Sequence, residues 1–475
     1  MMVPLGFRCH RRKEILSPAC QSLIAFVSMN YEESISYIES LVPTLERPTL
    51  ERMKLFVDEF DGLANQIPVF HVGGTNGKGS TAAILDAMLS GAGFRVGRFT
   101  GPHIIHFNER FALSESGCSK IISNDDFAEF ASITWRQSLE FASRHPELGP
   151  LTWFEFLTAM AFNFFRAKQC DCLVLEVGLG GRFDATNVAE NVCGTIITNV
   201  DLDHMQILGD TVDKIAFEKS GIIRKGVPVI TAAQGSALEV IRSQAEQRGA
   251  LLIVLPPGGL DLENPPTIED KSKLAFAGRV DQLCDALPLK GAHQRTNTSL
   301  ALMSFALSWL APDFDECLFG GMVRSLSRLY FPGRMQSLSD KNLIMDAAHN
   351  PAGAKTLRQA LDQRSAMNYV FVLGFFANKD MNAYLQALLR QGDLVIACQA
   401  QTRRATCSPD EIAAVCADLG ISVQIVSSVA EACRTALALA DPQRWCVVTG
   451  SFAVLRECML MLGWHSIEDG ATQNC

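Results

Sequence analysis

The chain has 475 residues, 48% of them hydrophobic and 20% charged, values of a globular protein rather than of a disordered or membrane chain. Its formal net charge of −9 argues against a nucleic-acid backbone as the main partner, and no apolar run reaches the ~18–20 residues of a membrane-spanning helix. The length exceeds what a single core organises, so two domains are expected.

Residues 1–28 read as an N-terminal extension. Arg8, Arg11, Arg12 and Lys13 precede an apolar patch, Leu23 to Val27, that is too short for a cleaved secretory signal. At Met29 the pattern changes, and Ile35, Ile38 and Leu41 fall at helical spacing. The 15 cysteines are scattered through apolar segments, which suggests reduced thiols and a cytoplasmic location. Cys170 and Cys172 lack the second pair that a zinc site needs.

From about residue 66 to 310, short β-type runs (69–71, 172–177, 194–199, 227–231) alternate with helical ones (81–91, 125–143, 153–168, 210–220). This alternation predicts an α/β fold with a parallel sheet covered by helices. Residues 256–290 are rich in Pro, Gly and Asp and give no clear pattern. A second alternation begins near Asn342, with strands at 342–346, 369–373, 393–397, 422–426 and 445–449 and helices between them. It predicts a smaller, Rossmann-like doubly wound domain. The expected domains are therefore 29–326 and 327–475.

The segment His71 to Ser80 (HVGGTNGKGS) carries the strongest chemical signal. A strand that breaks into glycines and opens a helix aims several backbone N–H groups at one point, at the positive end of the helix dipole. Lys78 adds a full charge, and Ser80 or Thr81 adds a hydroxyl for a phosphate or Mg²⁺. The spacing departs from the usual P-loop, because Val72 stands where a glycine is common and Gly79 separates the lysine from the hydroxyl.

Four later segments could contribute. Thr152-Trp153-Phe154-Glu155 opens an apolar helix and, taken alone, is a capped helix start. Glu176 ends a buried strand ahead of a glycine run and Arg182-Phe183-Asp184-Ala185, where α/β sheets place ligand groups and where a carboxylate can hold Mg²⁺. Asp201, Asp203 and His204 follow another strand and offer metal ligands, an acid/base or only a solvated loop. Lys219 sits in a last helical turn, where a lysine ordinarily just complements the dipole.

Taken in order, HVGGTNGKGS, GPHIIHFNERF, LTWFEFLTAMAF, VLEVGLGGRFDATNV, TNVDLDHMQILGD, IAFEKSGII, GRMQ, DAAHNP and VVTGSF resemble the folylpolyglutamate synthase/dihydrofolate synthase family, a branch of the Mur ligase superfamily. The resemblance covers residues 29 to 475, and the shortened phosphate loop is itself a family feature. It implies a Mur ligase-type P-loop ATPase domain followed by a Rossmann-like ligase domain. It also implies an ADP-forming ligase that adds L-glutamate to dihydropteroate, to reduced folates, or to both, through an acyl phosphate.

The resemblance assigns Gly74, Thr75, Asn76, Gly77, Lys78, Gly79, Ser80 and Thr81 to the ATP phosphates, and Asn297, Arg334, Asp346 and His349 to the rest of the nucleotide. Ser80, Glu176, His204 and a carbamylated Lys219 would hold Mg²⁺. Lys78, Glu176, His204 and Lys219 would together serve catalysis. Thr152, Trp153, Phe154 and Glu155, with Phe183, Asp184 and Ala185, match the segments that hold the pteridine substrate. The expected partners are small molecules, and the expected assembly is a monomer.

Three positions depart from the family pattern. Gly101 stands where a serine Mg²⁺ ligand is usual, Ala347 replaces a glycine, and Ser220 replaces the alanine that follows the carbamate lysine. The alternative from the same superfamily, a cell-wall amino-acid ligase, fits TWFE and LGGRFDATN poorly. A non-catalytic P-loop binding protein fits the second domain poorly, and the chain has no N-K-x-D type guanine motif.

Overall fold

The computed structural model describes residues 28–42, 49–263, 270–364 and 368–470. Apart from Ser28, the extension expected at 1–28 lies outside the described residues.

The first sheet is built from β1 (Val69–Gly73), β2 (Val96–Phe99), β3 (Phe111–Glu115), β4 (Cys118–Ile121), β5 (Cys172–Glu176), β6 (Val192–Ile197), β7 (Val229–Thr231) and β8 (Leu252–Val254). Their order across the sheet is β4-β3-β2-β5-β1-β6-β7-β8. The six from β2 to β8 run parallel. The expected parallel sheet therefore gains an antiparallel edge, β3 and β4. Their turn, Ser116-Gly117, has φ of 53° and 77°, the left-handed pair that suits a tight hairpin. β4 is mostly exposed and polar, so it carries none of the apolar run that marks a buried strand.

The central strands are buried on both faces, as parallel strands covered by helices must be. Val69, Leu173 and Leu175 face a core with Phe156 and Met160. Phe70, Val72 and Val174 face the opposite core with Leu85, Leu300 and Phe305. Alternate residues thus serve alternate layers. The helices lie close to the expected spans: Lys78–Gly91, Asn124–Arg144, Trp153–Ala167 and Val212–Lys219. Ser123 and Thr211 cap two of them by accepting N–H bonds from Asp126 and Lys214. Within the unreadable stretch, two short helices form, Lys271–Ala277 and Val280–Ala286.

The second sheet contains β9 (Gln336–Leu338), β10 (Leu343–Met345), β11 (Asn368–Leu373), β12 (Leu394–Ala397), β13 (Ser422–Ile425) and β14 (Arg444–Thr449). It runs β13-β12-β11-β14-β10-β9, parallel except for β9. All five expected strands are present, and β9 is the short addition. Ile104 and Ile105, in the loop after β2, are buried in the core of this second domain, and His106 Nε2 lies 2.7 Å from His465 O. No described helix is long and apolar enough to cross a membrane.

Candidate active site

Strand order brings distant motifs together. β1 lies between β5 and β6, with Val72 paired to Glu176 and Gly73 to Ile197. The three strands end level, so the phosphate loop, the Glu176 loop and the 198–204 loop leave the same edge of the sheet. In α/β sheets this edge, beyond the strand C-termini, is where ligands bind.

The loop after β6 holds the phosphate loop in shape. Thr198 Oγ1 donates to Asn76 O at 2.6 Å, and Asn76 N donates to Asn199 Oδ1 at 2.8 Å. Thr75 N donates to Asn199 O at 2.8 Å. Gly74 has φ of 134°, and a Cβ there would lie 1.9 Å from Thr198 Oγ1, so only glycine fits. Lys78, the first residue of its helix, donates to Thr75 O at 3.1 Å. Gly79, Ser80 and Thr81 are buried in the first turn. Asn297, on the helix His293–Leu307, reaches the loop from the side. A Cβ on Gly77 would meet its Oδ1 at 2.7 Å.

Glu176 is buried, and its Oε2 accepts one bond, from Gly101 N at 3.0 Å. Burial pushes its pKa up, and the charge on Lys78 opposes that shift. Lys219 Nζ donates to Gly74 O at 2.7 Å. Burial, reinforced by the neighbouring Lys78 charge, brings its pKa down to about 7. His204 has a left-handed backbone, φ 51°, and burial lowers its pKa to about 4. The charge on Lys78 acts on all three groups, opposing protonation of Glu176 and of Lys219 and His204 alike.

Among the described residues, no three His, Cys, Asp or Glu side chains gather into a complete cation site. The groups present nevertheless fit a Mg²⁺ that takes part of its shell from substrate phosphates and water. Glu176 is a buried carboxylate with a single N–H partner, and Thr81 Oγ1 is buried without any partner. At Gly101, a Cβ would lie 2.5 Å from Arg110 Nη1, so a guanidinium fills the space beside the glycine. Arg110 is itself buried, donates from Nε to His103 Nδ1 at 3.0 Å and lies over the Trp153 ring at 4.9 Å.

Phe154, in the first segment matched to the pteridine, packs against the loop after β5, where a Cβ on Gly178 would lie 2.4 Å from its ring. Trp153 stacks on Phe154 at 6.3 Å. Glu155 is occupied otherwise: its Oε2 accepts from Thr152 N and Oγ1, both at 2.8 Å, and pairs with Arg52 at 3.3 Å. Thr152 and Glu155 therefore form a capping box. Phe183 is 45% exposed, whereas Asp184 and Ala185 are buried. Asp184 accepts from Leu179 N and from Thr186 N and Oγ1, and burial raises its pKa to about 6.

From the second domain, Asp346 follows β10 and accepts N–H bonds from Met335 and Ala348 at 2.8 and 2.9 Å. Arg334 lies between the rings of Phe331 and Phe452, at 5.8 and 5.3 Å. His349 Nδ1 sits 2.9 Å from Ala347 O. Ala347 is not among the positive-φ residues, so alanine replaces glycine there without backbone strain. Sequence reasoning missed Thr198, Asn199, Arg110, Asn350 and Lys379. Asn350 was visible within DAAHNP, but nothing local gave it a partner. Two cavities of about 370 and 180 Å³, one lined by Ser28, Tyr31 and Arg136 among others and the other by Ser90, Gly117 and Arg328 among others, lie elsewhere.

Residues 333–452 match the Mur ligase, glutamate ligase domain family. The chain is 36% identical over 361 residues to the dihydrofolate synthase/folylpolyglutamate synthase of Bacillus subtilis, covering 74% of this chain and 80% of that one. It belongs to the dihydrofolate synthase/folylpolyglutamate synthase family. As a member it is an ATP-dependent ligase. The fold agrees over nearly the whole length. A bifunctional folylpolyglutamate synthase/dihydrofolate synthase with Mn, AMPPNP and L-glutamate bound superposes with a TM-score of 0.74 at 29% identity, covering 93% of this chain and 99% of that one. Escherichia coli FolC in complex with DHPP and ADP gives 0.74 at 27% identity, covering 92% and 98%.

Proposed function

We propose that this synthase joins L-glutamate to the carboxylate of dihydropteroate and of reduced folates. The observation that carries this reading is the meeting of the phosphate loop with Glu176, on the strand paired beside it, and with Lys219, whose Nζ donates to Gly74 O. The assigned domains, 29–326 for ATP and pteroate and 327–475 for ligation, then share one cleft.

The backbone N–H groups of residues 74–81 wrap the phosphates, and Lys78 neutralises the γ-phosphate. Ser80, Glu176, His204 and a modified Lys219 would hold Mg²⁺, which supplies Lewis-acid charge stabilisation to phosphoryl transfer. A substrate carboxylate oxygen attacks the γ-phosphorus, the bond to the β-phosphate oxygen breaks, and ADP leaves. The neutral amine of glutamate then attacks the acyl carbon. The C–O bond to phosphate breaks, phosphate departs, and the amine proton passes to solvent. His204, assigned to the cation, is not the base for that proton.

Lys219 supports the carbamate reading through its chemistry. With a pKa near 7, much of its amine is neutral at neutral pH. The neutral nitrogen adds to CO₂ and releases a proton, which turns a repelled ammonium into a hard anionic oxygen ligand. The pteridine rests against Trp153 and Phe154, which provide an aromatic wall, while Asp184 shapes the neighbouring loop.

The test is direct. Purified protein with ATP, Mg²⁺ and radiolabelled L-glutamate is offered dihydropteroate, tetrahydrofolate or a UDP-linked cell-wall precursor. Label incorporated into the pteridine substrates supports the reading. Incorporation into the UDP-linked precursor alone overturns it.

A further inference from the structure

A cluster of polar side chains joins the two domains beside the phosphate loop. Lys379, in the turn after β11, places Nζ 2.6 Å from Asp203 Oδ1, and both side chains are only about a tenth exposed. Asn350, the N-cap of the helix Pro351–Asp362, donates from Nδ2 to Asp203 Oδ2 at 3.1 Å and to Asn76 Oδ1 at 3.0 Å. Asn76 donates back from Nδ2 to Asn350 Oδ1 at 3.2 Å. The backbone N–H of His204 donates to Asp203 Oδ1 at 2.8 Å. One carboxylate thus accepts from two side chains of the second domain and from the backbone of the residue that follows it.

A charge pair taken this far out of water is weak evidence for stability, since desolvation offsets most of its attraction. Its geometry is nevertheless restrictive. The second domain cannot shift by more than a bond length without releasing Lys379, the Asn76–Asn350 amide pair, or both. Asn76 is a phosphate-loop residue, and Asp203 precedes His204. Domain position and site geometry are therefore coupled through four side chains.

We propose that Lys379 and Asn350 are positioning residues, a latch on Asp203 and Asn76 that seats the second domain on the phosphate loop and sets the 198–204 loop for nucleotide. The proposal rests on the reading of residues 74–81 as the nucleotide site. Neither residue needs to touch a reacting atom. Closing the latch makes the fully formed nucleotide site a property of the two-domain arrangement, as in enzymes whose lids complete the site.

Calorimetric titration of AMPPNP with Mn²⁺ into full-length Lys379→Met, Asp203→Asn, the double variant and Lys379→Arg tests it. Small-angle scattering with and without the nucleotide reports domain closure. Each charge-removing single variant is expected to weaken binding on the order of 10- to 100-fold, the usual size of a coupling between sites, and to keep a larger radius of gyration when saturated. The double variant is expected to be no worse than the weaker single variant, and Lys379→Arg to recover part of the loss. Asn350→Ser retains a capping oxygen for its helix but cannot span to Asn76, so it tests the latch in a chain whose fold is less perturbed. Additive losses, unchanged affinity, or a loss in Lys379→Met with wild-type behaviour in Asp203→Asn overturns the latch. Wild-type protein that fails to bind AMPPNP overturns the nucleotide-site reading, and the latch with it.

Discussion

The loops at the strand ends of the two sheets meet beside the phosphate loop but are equipped differently. On the first sheet, each of three neighbouring strands β1, β5 and β6 ends in a motif, and Lys78, Glu176 and His204 follow in turn. Two buried groups at this edge are under-partnered: Glu176 has one N–H donor, and Thr81 Oγ1 has no partner. On the second sheet, Asp346 is already bonded to two backbone N–H groups, and Arg334 is flanked by two aromatic rings. One edge is prepared to receive charge, whereas the other presents shaped, internally satisfied groups. The difference implies that chemistry belongs to the first edge and that orientation and closure belong to the second.

Lys78→Ala tests that division most severely. Losing the cation at the γ-phosphate should cost on the order of 10²–10³-fold in kcat while thermal melting stays near that of wild type. A steady-state assay close to wild-type rates would move the chemistry away from the loop. Lys219→Ala should follow with a loss of about 10–100-fold, the scale for disturbing groups around a metal. Short carboxylates such as acetate should restore part of the activity by replacing the missing oxygens, and a variant as active as wild type would reject the carbamate.

A third prediction separates support from chemistry within the first sheet. His71 is fully buried beneath the loop, its Nε2 lies 2.8 Å from Thr186 Oγ1, and burial lowers its pKa to about 3. The unfolded chain regains the ordinary value of about 6.5, so it binds the extra proton first as the pH falls. Stability is then undiminished above pH 6.5 and declines toward pH 3, by up to about 1.4 kcal/mol per pH unit. Denaturant unfolding of His71→Gln should show a shallower slope in that window, and an unchanged slope would remove His71 as its source. The smallest effect is expected at Gly101→Ser. The new side chain must displace the flexible end of Arg110, and its hydroxyl would stand near Glu176. Half-saturating Mg²⁺ should fall on the order of a few-fold, and no change would show that Arg110 keeps the position.

The fold was legible where its periodicity was strong. β5, β6, β11 and β14 are buried apolar runs, and they lie within a residue or two of their expected positions. β4 and β9 escaped because Cys-Ser-Lys-Ile and Gln-Ser-Leu are too short to offer an apolar run. In the site, Lys78 and Glu176 were legible because a strand end followed by glycines has few other uses. Lys219 was not legible from its own surroundings: a lysine in a last helical turn carries no local mark, and the family resemblance alone singled it out. Thr198 and Asn199 were quoted in a motif but had no visible task until they were seen bonded to the phosphate loop.

The sequence by itself determined the two α/β domains, the phosphate loop and the family, because glycine placement and apolar periodicity are local properties. Only the tertiary structure decided the rest. Inserting β1 between β5 and β6 set loops from segments about a hundred positions apart beside the phosphate loop. The meeting of the domains joined Lys379 to Asp203 and Asn350 to Asn76 across 176 and 274 positions. Contacts of that span depend on how two separately folded sheets pack, and no local pattern of residues encodes them.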